Sequence, residues 1–140
     1  MRILALDVGE RRIGTAICDP DERLAVPLGV IQRQGREADV QSVLALATQE
    51  EVGALVVGLP LSLDGSKGPQ ARRTEAFARR LSARTSLPLE LWDERLSTAE
   101  AERYAAARPR RGRRETSDAL AAAIILQGFL DARRARAGEP

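Results

Sequence analysis

Residues 1–15 read MRILALDVGERRIGT, and the period of this stretch decides the fold. In a strand, Ile3, Ala5 and Asp7 share one face and Leu4 and Leu6 share the other. A strand apolar on both faces is central in its sheet, so the carboxylate of Asp7 arrives at the end of a buried strand. An ion in such a place has to be paired, hydrogen-bonded or bound to a cation. Gly9-Glu10-Arg11-Arg12 reads as a tight link, after which Ile13, Gly14 and Ala16-Ile17 begin a second strand.

Working outward, the pattern predicts strands over about 2–8, 12–18 and 24–32, with Asp19-Pro20-Asp21-Glu22 as the second turn. Short links of this kind make a three-stranded antiparallel meander. The period then changes. Val40, Val43, Leu44 and Ala47 fall at helical spacing within 36–50, and Ala54-Leu55-Val56-Val57 is a short apolar strand of the buried parallel type. Residues 58–68, GLPLSLDGSKG, read as loop, with Asp64-Gly65 as a turn. A helix over 69–86, a strand over 87–92 and a helix from the capping box Ser97-Thr98-Ala99-Glu100 to about 107 come next. The last helix starts near Thr116 or Ser117 and runs to about Arg134, with Leu120, Ala123 and Ile124 on an apolar stripe that Gln127 interrupts.

Three meander strands followed by helix–strand–helix–strand–helices give an α/β domain. We expect a five-stranded mixed sheet with helices on both faces, the ribonuclease H-like arrangement, with the later two strands parallel to the first. Residues 1–136 read as one domain and 137–140 as a frayed tail.

Histidine is absent from all 140 residues, which excludes Ser-His-Asp and Cys-His schemes and histidine-ligated zinc. Cys18 is the single cysteine, reads as a core residue and fits a reducing, cytoplasmic setting. No apolar run is long enough to span a membrane. Charge is uneven: residues 1–70 carry a net −3 and residues 71–140 a net +5. The densest basic segment is RPRRGRR at 108–114, with Arg110, Arg111, Arg113 and Arg114 lying just before Asp118. It reads either as a solvated loop or as a clamp on phosphates. Two phenylalanines, one tryptophan and one tyrosine are too few for a base-stacking platform, so recognition by backbone and shape is expected.

The parallel strands of such a sheet end along one edge, where ligands bind. Asp7 ends the first strand, Asp93 and Glu94 end the last, and Asp118 lies in the first turn of the final helix, in register with Ala122 and Ile125. Each has an ordinary alternative: a turn residue for Asp7, solvated charges for Asp93 and Glu94, a complement to the helix dipole for Asp118. Brought together, carboxylates without histidine are a site for Mg²⁺ or Mn²⁺, and a pair of such ions with substrate bound suits phosphodiester hydrolysis. Arg11, Arg12 and Arg95 flank these positions and would hold substrate phosphates or make surface ion pairs.

Four segments in order, LALDVGERRIGTA, VVGLPLSLDGSKG, WDERLST and SDALAAAIILQGFLD, resemble the bacterial YqgF/RuvX family over nearly the whole chain. The resemblance implies a ribonuclease H-like fold and a nuclease that trims the 5′ end of precursor 16S rRNA, in ribosome biogenesis. An older reading of the family, by likeness to RuvC, is a resolvase of branched DNA. A nucleic-acid-binding module without catalysis is the third possibility. Carried over by position, the family's acidic residues are Asp7, Glu94 and Asp118, and it is the resemblance that selects Glu94 over Asp93. One departure stands out. Where relatives carry a basic residue just before the last aspartate, this chain has Thr116 and Ser117, and the nearest arginine is Arg114. The DxGxxRxG opening by itself also resembles actin-like ATPases, which need two such domains around a nucleotide. The sequence leaves monomer and homodimer equally open.

Overall fold

In the computed structural model, residues 1–96 and 114–138 are described, the side chains of 114–116 excepted. Five strands form one sheet in the order β3-β2-β1-β4-β5: β1 Ile3–Val8, β2 Arg12–Cys18, β3 Ala25–Gln32, β4 Ala54–Leu59 and β5 Leu89–Asp93. β1, β2 and β3 are an antiparallel meander, while β4 runs parallel to β1 and β5 parallel to β4. This is the expected mixed sheet.

The three described helices divide between its faces. Helix α1 (Arg36–Gln49) and helix α2 (Pro69–Ser82) cover one, where Val40, Val43, Phe77 and Leu81 meet Leu4, Leu6, Leu55 and Val57. Helix α3 (Arg114–Arg136) covers the other, with Ala122, Leu126, Phe129 and Leu130 against Ile3, Ala5, Ala16 and Val56. The alternation in ILAL thus feeds two cores from one strand, and Asp7 follows Ile3 and Ala5 onto the α3 side.

Two irregularities have local causes. Pro27 lacks an N–H and sits in edge strand β3, where the register with β2 shifts between Thr15 and Ala16. Gln127 is buried on α3 because its amide closes off the start of β3: it accepts from the Ala25 N–H at 2.9 Å and donates to the Arg23 carbonyl at 2.9 Å. Cys18 is buried and free.

Some boundaries moved. β4 continues through Gly58 and Leu59, which the glycine had placed in a loop, because both are buried and pair with Trp92 and Asp93. Helix α2 ends at Ser82, four residues short of the expected end, and α3 starts before Thr116. The expected helix over 97–107 lies outside the described residues. No described helix is long and apolar enough to cross a membrane.

Candidate active site

β1 and β2 are joined by a hairpin closed by a 2.9 Å hydrogen bond from the Gly9 N–H to the Arg12 carbonyl. That turn fixes the register so that Asp7 lies directly opposite Gly14. A Cβ placed on Gly14 would lie 2.0 Å from the Asp118 carbonyl oxygen, so only glycine lets the second turn of α3 rest on β2 here. Close approach brings Asp118 beside Asp7. Gly58 plays the matching part on the other side. Its missing side chain leaves room for Ile125, and its Cβ position is 3.2 Å from Glu94 Oε2.

Three carboxylates therefore reach one sheet edge from β1, from the short 3-10 turn Glu94–Leu96 after β5, and from α3. All three are half-buried. Burial, and then the neighbouring charge of Asp118, raises the Asp7 carboxyl to a pKa of about 6. Burial, then Asp7 and Asp93, raises Glu94 to about 7. Each anion is thus costly in the absence of a positive partner.

Asp118 has one. The Arg12 guanidinium donates from Nε to its Oδ2 at 2.5 Å, across 106 positions in sequence. A cation beside the last aspartate therefore comes from the start of β2. Among the described residues no set of three or more acidic, cysteine or histidine side chains converges in a ready-made metal cage. With Asp118 turned to Arg12, Asp7 and Glu94 are, among the described residues, the pair without a counter-charge.

The remaining expected residues fall in different places. Asp93 takes a bidentate bond from Arg95, which also donates to the Leu63 carbonyl at 3.1 Å, so Arg95 ties the 60–68 loop to the end of β5. Asp64 accepts the Ser66 N–H at 2.9 Å and is an exposed turn residue, as its Gly65 neighbour indicated. Arg11 is exposed on the hairpin and pairs with no carboxylate among the described residues. Arg110, Arg111 and Arg113 lie outside the described residues, and Arg114 begins the backbone of α3. The sequence reading missed Gly14 and Gly58 as the positions that let helix and carboxylate approach.

The model of the RuvX family, described as Holliday junction resolvase, matches residues 1–132. The chain belongs to the RuvX family. A relative from Anaeromyxobacter sp. (strain Fw109-5), 51% identical over 140 residues, covers 96% of this chain and 100% of its own. Another from Bradyrhizobium sp. (strain ORS 278) is 47% identical over 131 residues, covering 92% of this chain and 81% of its own. Both RuvX relatives carry the name "Putative pre-16S rRNA nuclease". Among solved structures, T. thermophilus RuvC in complex with a Holliday junction substrate superposes with a TM-score of 0.66 at 15% identity, covering 96% of each chain. That likeness establishes the ribonuclease H-like fold.

Proposed function

We propose that the protein is a divalent-metal-dependent nuclease that hydrolyses phosphodiester bonds in the 5′ region of precursor 16S rRNA, in the cytoplasm. One observation carries the reading: Asp7 and Glu94 meet at the sheet edge with both carboxyls raised toward neutral pKa, and Asp118 stands beside them. Among the described residues such a pair lacks positive charge, and its donors are all oxygen, which fits Mg²⁺ or Mn²⁺. The names of the RuvX relatives supply the substrate.

Asp7 and Glu94 would hold the ion, and Asp118 would be free to join them once substrate phosphate competes for Arg12. When bound, a divalent ion polarises a phosphate oxygen and lowers the pKa of a water molecule. Arg12, once released, and Arg11 on the same turn hold the phosphates on either side of the scissile one. Ile125, buried at Gly58 beside Glu94, backs that carboxylate with apolar surface, which strengthens every charge interaction in front of it. Arg95 keeps the 60–68 loop and Glu94 in fixed relation.

A second substrate has the family description behind it. A four-way DNA junction would be cut by two copies acting symmetrically. The two readings separate when the protein is incubated, with Mg²⁺ or Mn²⁺, with precursor 16S rRNA and with a synthetic junction. Cleavage near the rRNA 5′ end with the junction left whole is the expected result. Paired symmetric incisions in the junction with the rRNA intact would replace the rRNA reading.

A further inference from the structure

On the opposite face of β1 from the carboxylates, the chain builds a second basic site. A concavity of about 500 Å³ opens beside Gly9, two residues beyond Asp7, between the N-terminal ends of α1 and α2. Arg33, Arg36 and Arg73 line it together with Glu10 and Asp39, and Gln70 at its wall donates from Nε2 to the Val8 carbonyl at 2.8 Å. Behind it the guanidinium carbons of Arg33 and Arg80 stand 5.5 Å and 5.8 Å from the Phe77 ring centre.

This cluster is short of negative charge. Asp39, buried, is held by Arg33 at 3.0 Å and by the Gln34 N–H at 2.8 Å. Glu10 reaches Arg73 only at 3.6 Å with both side chains exposed, a contact of little strength. Arg36 and Arg80 have no carboxylate within ion-pair distance among the described residues, and Arg80 Nε is buried with no hydrogen-bond partner there. Burial, then repulsion by Arg36 and Arg33, pulls the Arg80 pKa below its ordinary value. Like charges gathered around an open concavity are an arrangement that an anion relieves.

We infer that the concavity formed by Arg33, Arg36 and Arg73, backed by Arg80, is a second phosphate site that grips the backbone of the nucleic acid cut at the carboxylates. The inference rests on the nuclease reading for the identity of the anion. The strand crosses the sheet edge over the Gly9–Arg12 turn, with the scissile phosphate on the α3 side and a neighbouring one in the concavity. Contacts here go to phosphate and carry no sequence information.

The test uses the full chain carrying Asp7→Asn, so that cleavage does not interfere, and a fragment spanning the 5′ end of precursor 16S rRNA. Its affinity is measured across a salt series for this protein and for Arg36→Gln/Arg73→Gln, both exposed positions. A remote double variant, Arg23→Gln/Arg136→Gln, loses the same charge. The cluster variant is expected to bind about tenfold more weakly, with a salt slope lower by about 1–2, while the remote variant shifts far less. Arg80→Gln should weaken binding in the same direction. RNA bound with equal affinity and slope by both double variants, or weakened equally in both, overturns the second site and leaves the nuclease reading standing. RNA bound by none of the proteins overturns both.

Discussion

Arg12 Nε lies 2.5 Å from Asp118 Oδ2, joining the first strand pair to the last helix beside Asp7, one residue from the end of β1. In the proposed mechanism this contact is a latch. It neutralises Asp118 until substrate phosphate competes for the arginine. Arg12→Gln should therefore free Asp118 for the cation: the Mn²⁺ concentration giving half-maximal thermal stabilisation falls by about tenfold, the equivalent of about 1.4 kcal/mol. Affinity for RNA should fall in the same variant. An unchanged or weaker Mn²⁺ response would remove the latch.

Gly14→Ala tests the close approach that assembles the site. A methyl group there meets the Asp118 carbonyl at 2.0 Å, a backbone atom with no rotamer to yield. Helix α3 has to shift, and we expect a loss of about 2–3 kcal/mol in denaturant unfolding together with most of the activity. Wild-type stability in this variant would mean that α3 does not bear on β2 as described.

The raised carboxyls give a signed dependence on pH. Asp7 and Glu94 have folded pKa values of about 6 and about 7, above those of the unfolded chain, so their favourable contribution is complete below about pH 4 and is lost as pH rises through 6 to 7. Asp93, which its hydrogen bond from Arg95 holds low, acts in the opposite direction and in a lower window. In EDTA, Asp7→Asn should therefore match wild type near pH 4 and exceed it by about 1–3 kcal/mol at pH 8, after allowance for solvent screening. Added Mg²⁺ should close the gap by stabilising only the wild type. Equal stability of the two proteins in EDTA at pH 8 would show that Asp7 is not a strained anion.

Gln127→Leu keeps volume and removes the amide that serves the Ala25 N–H and the Arg23 carbonyl. The Arg23 carbonyl keeps its bond from Arg134, but the Ala25 N–H is left buried and unpaired, which should cost about 1–3 kcal/mol with metal binding unaltered. Urea unfolding beside an Mn²⁺ titration reads both quantities.

Much of this was legible in the chain because local and global signals agreed. The two-sided apolar run Ile3–Leu6 placed β1 at the centre, and the short turns at 9–12 and 19–22 forced the meander. Helical register with Ala122 and Ile125 correctly turned Asp118 inward. What stayed hidden depends on distance in three dimensions. The Arg12–Asp118 pair spans 106 positions, and no local pattern announces it. Gly14 was a partial exception: a turn closed between Gly9 and Arg12 sets Asp7 opposite Gly14, a register that could have been counted from the sequence. Gly58 misled for the reverse reason. It looked like the start of a loop, whereas its bare Cα is needed inside a strand to admit Ile125 and Glu94.

The central claim is that Asp7 belongs to a cation site that cuts RNA. Its most direct test is cleavage of precursor 16S rRNA by wild type and Asp7→Asn, in Mg²⁺, in Mn²⁺ and in EDTA. Circular dichroism confirms that both proteins are folded. The account predicts cleavage by wild type in either metal, none in EDTA, and a loss of at least about 10²-fold in Asp7→Asn. Equal cleavage by the two proteins, or cleavage by wild type that persists in EDTA, would contradict it.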